Sequence, residues 1–264
     1  MLDLAVIILQ KNEALHIRRC LGRLRPLEPR QIFVVDCYST DGSDAMARED
    51  GAEVVYHEWP GTQALQFNWA LEHLPLETSW ILRLDADEYL VESGISWLRD
   101  QLPNIPSSVA ALELTLERKF QGGVIRHGTN GIQMVRLFRK GKARYAEAQM
   151  DERLIVAGES SRIPVTFYDD SLMPLTEWRQ KQLGYAKREA VQALAGNFPD
   201  ARKATYYRLP PYFRAVAYFC IRYFFRLGFL DGIAGWRWHF WQGLWYRWQC
   251  DLEIARLRLS SCMK

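Results

Sequence analysis

The amino-acid sequence predicts an α/β fold whose parallel sheet carries a site at the carboxyl ends of its strands. Short apolar segments alternate with helical spacings through about the first ninety residues. Acidic or amide side chains directly follow three of the four apolar segments. Alternation of strand and helix at short intervals predicts right-handed βαβ units, which place the ends of the strands on one edge of the sheet. Ligands bind beyond such strand ends.

Four strands and three helices are predicted in this first part of the chain. The first strand, Leu4–Leu9, is a continuous apolar run, as expected for a parallel strand buried on both faces. The other strands are Gln31–Asp36, Glu53–His57 and Trp80–Leu84. The helices are Ala14–Leu24, Asp44–Glu49 and Thr62–Leu74, with apolar residues at helical spacing. Gly51 follows the second helix, where a C-cap glycine is expected.

The pattern changes after Pro106. Longer strands are predicted at Val109–Phe120 and Gln133–Arg139, with glycine-rich turns between them, and a short apolar run follows at Leu154–Val156. A helix is predicted at 171–194. We therefore expect an α/β domain of Rossmann-like arrangement at 1–200 and a separate amphipathic helical region at 201–264.

The C-terminal region is basic and rich in aromatic residues. Residues 1–170 contain 19 Lys and Arg against 25 Asp and Glu, whereas residues 171–264 contain 15 against 6. Seventeen aromatic residues lie between Tyr206 and Trp248, and the spacing of Trp238, Trp241, Trp245 and Trp248 forms one helical stripe. This pattern favours helices that lie against a membrane surface, although a stripe of this kind also fits a packed helical core.

Composition excludes several other classes. The five cysteines are widely spaced and form no CxxC pair, so neither a zinc site nor a disulfide framework is predicted. No stretch reaches about 18 uncharged apolar residues, so we expect no simple membrane span. The N-terminal segment has no signal-peptide pattern and is interpreted as a strand.

Asp85 and Asp87 are the sharpest local signal for chemistry. They follow the apolar segment Trp80–Leu84 and stand one residue apart. Two carboxylates at a strand end can approach one hard cation, and Mn²⁺ or Mg²⁺ prefers oxygen ligands and shares them with phosphate groups. A pair of acids at a helix N-terminus is the alternative interpretation. Arg83 and the basic run Arg136, Arg139, Lys140 and Lys142 are interpreted as solvated charges, with contacts to phosphate groups as the alternative.

Two further strand ends carry candidate binding groups. Asp36 ends the second strand and can accept the imide N–H of uracil, whereas Ser39 and Asp41 fit the turn that precedes the next helix. Glu13 follows the first strand, where its carboxylate can contact a ribose or a base, or simply stabilise the first turn of a helix.

Four segments in combination resemble the family 2 glycosyltransferases, which are inverting enzymes with a GT-A type fold. They are VIILQKNEA, VVDCYSTDGS, the stretch from Gly61 through Gln66-x-Asn68-x-Ala70-Leu71, and ILRLDADEYL. Looser similarity continues through RHGTNGIQMVRLFRKGKARY, MDERLIVAG and GFLDGIAGWRWHFWQGLWYR. These later segments resemble bacterial members that build surface polysaccharide and lipopolysaccharide core.

The resemblance implies roles for individual residues. It places a divalent metal on Asp87, with Asp85 at the metal and at the nucleotide ribose, and it places base recognition at Asp36. Glu13, Ser39 and Gln66 complete the implied nucleotide-sugar site. The catalytic base of inverting members is acidic, and the fitting pair is Asp151-Glu152, with Glu152 preferred and Asp151 the alternative. The QxxRW motif of processive synthases is absent from the sequence, which argues for transfer of a single sugar.

The implied activity is a metal-dependent hexosyl transfer with inversion. The donor is a nucleotide-diphosphate sugar, with UDP the expected nucleotide, and the acceptor is a lipid-linked saccharide. The expected location is peripheral, at the cytoplasmic face of the bacterial inner membrane, with no nucleic-acid partner. A sugar nucleotidylyltransferase is the alternative enzyme, but its glycine-rich first loop is missing from Gln10–Glu13. A non-catalytic nucleotide-sugar-binding scaffold is the remaining alternative.

Overall fold

A computed structural model describes residues 1–129, 131–146, 154–196, 198 and 201–262. The chain forms two compact units. The first unit comprises Met1–Glu117 and Gly131–Leu172. The second unit comprises Arg118–Asn130 and Met173–Lys264.

The first unit contains a sheet flanked by helices. Its strands are β1 (Leu2–Gln10), β2 (Pro29–Asp36), β3 (Glu53–Tyr56), β4 (Trp80–Asp85), β5 (Glu88–Leu90), β6 (Val109–Phe120), β8 (Ile132–Arg139), β9 (Ala143–Tyr145), β10 (Leu154–Val156) and β11 (Glu159–Asp170). The last three residues of β6 and the whole of β7 (Gly123–Ile125) belong to the second unit. Its helices are α1 (Ile17–Leu24), α2 (Ser43–Glu49), α3 (Gln63–His73) and α4 (Glu92–Gln101).

The order of the strands explains the mixed character of the sheet. Among the described residues the order is β3-β2-β1-β4-β8-β6-β11-β5, with β9 and β10 pairing separately. The pairs β1–β2, β1–β4 and β2–β3 are parallel, whereas β4–β8, β6–β8 and β11–β5 are antiparallel. The four parallel strands are the four that the sequence predicts, and each observed strand lies within two residues of the predicted one.

The apolar run of β1 is buried on both faces of the sheet. Leu4, Val6 and Ile8 pack in one hydrophobic cluster, which also contains the buried residues of α1. The alternate residues Ala5, Ile7 and Leu9 pack in a second cluster with Ala64, Phe67 and Ala70 of α3. Because successive side chains of a strand point to opposite faces, a strand covered by helices on both sides needs an unbroken apolar sequence.

Asn68 fastens α3 to the short strand β9. Its side-chain amide donates to the carbonyl of Tyr145 at 2.9 Å, and its amide oxygen accepts the N–H of Tyr145 at 2.9 Å. Both residues are buried. The bidentate contact satisfies two backbone groups that the interior would otherwise leave without water.

The second unit is helical, with the hairpin of β6 and β7 beside it. Its helices are α5 (Leu175–Leu194), α6 (Ala201–Arg208), α7 (Phe213–Cys220), α8 (Gly232–Trp238) and α9 (Tyr246–Cys262), with π-helical turns at Ile221–Phe225 and His239–Trp245. Glu189 of α5 is the polar centre of this unit. Its carboxylate accepts from the hydroxyls of Tyr207 at 2.7 Å and Tyr246 at 2.6 Å, and from Arg247 at 2.8 Å.

These contacts bear on the expected division of the chain at residue 200. Glu189 precedes that position, yet it bonds to α6 and α9, which follow it. The structure accordingly divides the chain after Leu172 and adds the 118–130 hairpin to the second unit. The predicted helix 171–194 begins at Leu175, because Pro174 at its N-cap has an extended ψ.

Three tryptophans of the predicted stripe pack against other side chains of the second unit. Trp238 is buried and packs edge-on against Phe120, with ring centroids 5.3 Å apart. Trp241 and Trp245 pack on the guanidinium of Arg179 in α5, at 4.9 and 5.2 Å from Cζ to the ring centroids. Trp241 and Trp245 are half-buried and Trp248 is 38% exposed, and the expected association of this region with a membrane stays a prediction. Within the described residues no helix is long and apolar enough to cross a membrane.

Two glycines of the second unit are required by close packing. Gly128 has a φ of +74°, and a Cβ there would lie 2.3 Å from the ring of His239. A Cβ on Gly228 would lie 2.4 Å from the same ring. These contacts explain why the segments RHGTNG and GFLDG both carry glycine.

We expect Asn68→Ala to lower the free energy of unfolding by about 2–3 kcal/mol, because it leaves the buried N–H and C=O of Tyr145 without partners. Urea denaturation measures the change. Asn104→Ala is the matched control, since Asn104 is exposed and makes one hydrogen bond, to the carbonyl of Asp100. We expect the control to change stability by less than about 0.5 kcal/mol. Equal losses in the two variants would contradict the role of Asn68.

Candidate functional site

Three neighbouring parallel strands end at the same level of the sheet. In the register, Gln10 at the end of β1 lies opposite Asp36 of β2, and Leu9 lies opposite Asp85 of β4. The polar groups that follow these strands therefore occupy one edge. The predicted convergence of Asp36 and Asp85 at this edge is confirmed.

Glu88 fixes the turn that carries Asp85 and Asp87. This turn connects β4 to β5, and Glu88 is buried at the start of β5. One carboxylate oxygen of Glu88 accepts the backbone N–H of Asp85 at 3.0 Å. Its other oxygen accepts from Arg136 at 2.5 Å. The backbone of the turn is thus held by an acid that points inward, so that Asp85 and Asp87 are left for other partners.

Two buried arginines contact the carboxylate of Asp85. Arg83 reaches one of its oxygens at 3.3 Å, and Arg136 lies 3.9 Å from the other. Arg83 also donates to the hydroxyl of Tyr145 and, at 3.0 Å, to Gln63. Both arginines are buried, with 5% of Arg83 and 6% of Arg136 exposed. The prediction that Arg83 and Arg136 are solvated charges is therefore wrong, because β4 and β8 point them into the sheet beneath the acidic turn.

Asp87 stands in a group of like charges. The pKa of the Asp87 carboxyl is raised to about 7, chiefly by burial and in addition by the neighbouring carboxylates of Asp169, Asp85 and Glu13. The backbone of Asp87 is fixed at the same time, since its carbonyl accepts the N–H of Asp170 at 3.2 Å. Excess negative charge on a fixed turn favours the binding of a cation.

A second set of contacts joins the end of β11 to α1. Arg19 donates to the side chain of Asp170 at 2.9 Å and also to its carbonyl. The hydroxyl of Tyr89 donates to the same carboxylate at 3.0 Å. The guanidinium of Arg19 lies 4.9 Å from the centroid of the Tyr89 ring. This framework holds β11, and with it Asp169, beside the Asp87 turn.

Glu13 is oriented by a histidine. His16 is buried, and its Nε2 accepts the backbone N–H of Leu172 at 2.8 Å. The ring proton must then be on Nδ1, which donates to the carboxylate of Glu13 at 2.5 Å. Glu13 keeps about a fifth of its side chain exposed, at 21%. It therefore reaches the edge of the site with one oxygen already engaged.

Asp36 is fully buried in this structure. One carboxylate oxygen accepts from the side chain of Gln10 at 2.6 Å, and the other accepts the N–H of Ser39 at 2.6 Å. The hydroxyl of Ser39 in turn accepts the N–H of Asn12 at 2.8 Å. Asn12 and Tyr38 both have positive φ, of 55° and 57°. The two loops that follow β1 and β2 are thus tied to each other in strained conformations, which are common at functional sites.

Gln66 and Asp41 have structural partners. Gln66 is buried, with its amide oxygen on His57 Nδ1 at 2.7 Å and its amide nitrogen on Cys37 Sγ at 3.2 Å. Asp41 accepts the N–H groups of Ala14 at 2.9 Å and Ser43 at 3.1 Å. Gln66 therefore lies beneath the loop after β2, and its expected contact with the donor remains a prediction.

The expected metal site rests on Asp85 and Asp87. Among them, no three His, Cys, Asp or Glu side chains are placed to hold a cation together. Asp85 and Asp87 fit a hard cation that takes its remaining oxygens from a diphosphate and water, as Mg²⁺ commonly does. The crowding that raises the pKa of Asp87 is consistent with that fit. Asp151 and Glu152, the candidate bases, lie outside the described residues.

Several residues at this edge are not found by sequence reasoning. They are His16, Arg19, Tyr89, Asp169 and Asp170. A signal for the last two is present, since Ile163, Val165 and Phe167 alternate with more exposed residues and run directly into them. That alternation is typical of a strand whose end delivers acidic side chains.

The family of the chain follows from its sequence. Residues 5–150 match the model of the family described as glycosyl transferase family 2. This match covers more than half of the chain and places it in glycosyl transferase family 2.

Individual relatives match shorter stretches. A TPR repeat-containing protein of Synechococcus elongatus is 29% identical over 139 residues, which are 53% of this chain and 32% of that protein. An uncharacterized glycosyltransferase of Rickettsia felis is 34% identical over 105 residues, 40% of this chain and 34% of that protein. The chain thus spans about a third of the length of the curated relatives that it matches.

Two solved structures are similar over different extents. The S. aureus protein TarS, residues 1–349, is 14% identical with a TM-score of 0.46, covering 99% of this chain and 92% of that chain. Glucosyl-3-phosphoglycerate synthase from Mycobacterium tuberculosis, in complex with Mn²⁺, uridine diphosphate and glucosyl-3-phosphoglycerate, is 20% identical with a TM-score of 0.35, covering 43% of each chain.

We expect Asp87→Asn to stabilise the metal-free protein above pH 7. A carboxyl whose pKa is raised by folding to about 7 costs stability as the pH rises from about 4, and the full cost is present above pH 7. Since Asp87 is partly exposed, screening limits the gain to about 1–2 kcal/mol. Thermal denaturation in a metal chelator measures it, and the gain should vanish near pH 4.

Asp41→Asn is the matched control for this measurement. Burial opposes the ionised form of Asp41, but hydrogen bonds from Ser43 and Ala14 outweigh it and hold the pKa of this carboxyl below its usual value. Asparagine at position 41 should therefore lower stability above pH 4, which is the opposite sign. A destabilised Asp87→Asn protein at pH 8 would contradict the electrostatic account of the turn.

Proposed function

We propose that this glycosyltransferase moves a single sugar, with inversion, from a UDP-sugar to a lipid-linked saccharide in the synthesis of cell-surface polysaccharide or lipopolysaccharide. The observation that carries the proposal is the Asp85–Asp87 turn, which Glu88 and Arg136 hold at the ends of the parallel strands. Such a turn supplies oxygen ligands for a divalent cation at the position where sheets of this type bind nucleotides.

Asp87 and Asp85 are the residues that would hold Mn²⁺ or Mg²⁺. The ion would neutralise the negative charge that develops on the departing nucleoside diphosphate. Arg83 and Arg136 contact the two oxygens of Asp85 and orient its carboxylate, so that it can serve the cation and the ribose hydroxyls. Glu13 and Ser39 lie on the adjoining loops, where they would contact the nucleoside.

Asp36 is our proposed partner for the imide N–H of uracil. Because Asp36 has no exposed surface here, this contact requires the Cys37–Ser39 turn to open when the nucleotide binds. The exposed ring of Tyr38 stacks on Tyr56 at 5.3 Å and offers a flat apolar surface beside that turn. Aromatic faces of this kind stack readily on nucleobases.

The acceptor hydroxyl must lose a proton as it attacks the anomeric carbon. We propose Glu152 as the base that takes it, with Asp151 as the alternative. The base must act from the side opposite the leaving diphosphate, so the new glycosidic bond forms with inverted configuration. We further propose that the enzyme works as a peripheral protein at the cytoplasmic face of the inner membrane, where a lipid-linked acceptor is available.

The first test is a thermal-shift screen of nucleotide sugars with and without Mn²⁺. We expect a UDP-sugar to raise the melting temperature of the protein only when Mn²⁺ is present, because binding stabilises the native state in proportion to affinity. Asp87→Ala should fold, lose this shift and lose release of UDP in the presence of acceptor extracts. Asp100→Ala, which removes an exposed carboxylate of α4, is the control and should keep both.

Three results of this screen would count against the proposal. Retention of normal transfer by Asp87→Ala in a metal chelator would exclude the metal role. A Mn²⁺-dependent shift without turnover on any acceptor would favour a non-catalytic binding scaffold. Formation of a nucleotide sugar from nucleoside triphosphate and sugar phosphate would favour a nucleotidylyltransferase.

The second test separates the two candidate bases. We expect Glu152→Gln to lower kcat by about 10²–10⁴-fold while the Mn²⁺-dependent thermal shift persists, because a general base acts on the acceptor and not on donor binding. Asp151→Asn should retain most of the activity. The reverse pattern would exchange the two roles, and an unchanged rate in both variants would exclude this segment. NMR of the product reports whether the anomeric configuration is inverted.

A further inference from the structure

One end of the second unit exposes a concentrated set of large apolar side chains. We call it the apolar patch, and its members are Ile221, Phe224, Phe225, Leu227, Phe229, Leu230, Ile233 and Trp236. Phe225 is 81% exposed and Ile233 is 72% exposed. All eight members lie within sixteen residues, around the π-helical turn Ile221–Phe225 and the start of α8. Isolated exposed apolar residues are ordinary, but a contiguous set marks an interaction surface.

Ring contacts show that the aromatic members belong to one surface. The ring of Tyr223 lies between them, with centroid distances of 5.1 Å to Phe224, 6.3 Å to Phe229 and 5.5 Å to Trp236. Phe219 contacts the same side, at 6.2 Å from Phe224 and 5.8 Å from Trp236. These contacts join Phe224, Phe229 and Trp236, and so connect the three segments of the chain that carry the patch.

The backbone behind the patch is closely packed. A Cβ on Gly235 would lie 2.2 Å from the carbonyl oxygen of Gly228. Gly228 in turn is packed on the buried ring of His239. These close contacts hold the backbone at Gly228 and Gly235, on either side of which the exposed side chains lie.

The charge at the patch is positive. Arg226 and Arg237 are exposed within the same stretch. The acid of this stretch is Asp231, and its carboxylate is already occupied. It accepts from the backbone N–H groups of Arg126 at 2.9 Å and His127 at 2.8 Å, and from the ring of His127 at 2.6 Å.

We infer that the apolar patch binds the surface of a membrane that contains anionic phospholipid. Phenylalanine and tryptophan side chains enter the interfacial region of a bilayer, and arginines beside them reach the phosphate groups. A second copy of the chain is a poorer occupant, because a two-fold interface would bring the arginines of both copies, four positive charges, into one contact. The inference deepens the proposed function and rests on its membrane location, but it assigns that location to a surface other than the tryptophan stripe.

The test is co-sedimentation of the full chain with vesicles. We expect wild type to bind mixed phosphatidylcholine and phosphatidylglycerol vesicles, to bind pure phosphatidylcholine vesicles more weakly, and to lose the difference as salt rises. The double variant Phe225→Glu/Ile233→Glu should bind the mixed vesicles at least about tenfold more weakly, since two inserted apolar groups become charged.

The matched control is Val191→Glu/Leu259→Glu. It makes the same change of charge at two residues of the second unit that are 58% and 68% exposed and lie outside the patch. We expect it to bind as wild type. A further variant, Arg226→Gln/Arg237→Gln, should lose the preference for phosphatidylglycerol while it keeps weak binding to phosphatidylcholine.

Three outcomes would overturn the inference. One is equal binding by wild type and the Phe225→Glu/Ile233→Glu variant, and another is an equal loss in the control. The third is a wild-type dimer in sedimentation velocity without vesicles that the patch variant converts to monomer. If the patch variant does not fold, the arginine variant decides by its lipid preference.

Donor binding in vesicle-free buffer separates this inference from the proposed function. The Mn²⁺-dependent thermal shift with a UDP-sugar should be the same in wild type and in the patch variant. Vesicle binding without a thermal shift would support membrane binding by the patch and contradict the proposed donor. A thermal shift without vesicle binding would support the proposed donor and contradict membrane binding by the patch.

Discussion

The carboxylate of Glu88 lies between the backbone N–H of Asp85 and the guanidinium of Arg136, and the acidic edge of the sheet depends on this arrangement. Asp85, Asp87, Glu13 and Asp169 bring several negative charges to one place. Buried cations beneath them offset part of the repulsion. Because each buried charge needs its partner, removing one member leaves another uncompensated at considerable cost. Most charges at this edge are therefore paired, whereas Asp87 has more negative than positive charge around it.

The parallel part of the sheet and its acidic ends were predictable from the sequence. A strand covered on both faces must be apolar throughout, as β1 is, and parallel strands end on the same edge. Asp36 and Asp85 were found in this way. The burial of Arg83 and Arg136 was not, because the sequence spacing of a charged residue does not say which face of a central strand it occupies. Only the antiparallel strand β8 brings Arg136 under Glu88.

The second unit shows the complementary difficulty. Helical periodicity predicts that Trp238, Trp241 and Trp245 share a face, but it does not identify the medium on that face. Phe120 and the guanidinium of Arg179 pack on these rings, which leaves Trp238 buried and Trp241 and Trp245 half-buried. The exposed apolar side chains instead lie in the irregular stretch from Ile221 to Trp236, where π-helical and 3₁₀ turns hide any simple period. Glycines packed against His239 hold the backbone of this stretch, and no amphipathic spacing marks its exposed side chains.

Asn68 holds both backbone groups of Tyr145, the hydroxyl of Tyr145 receives a hydrogen bond from Arg83, and Arg83 contacts Asp85. A helix on one side of the sheet is in this way linked, residue by residue, to the electrostatic field at the strand ends. Substitutions along such a line do not act independently, since contacting residues show coupling energies beyond the sum of their separate effects. Epistasis is the consequence. What a replacement at position 68 does to the enzyme depends on the residue that stands at position 83.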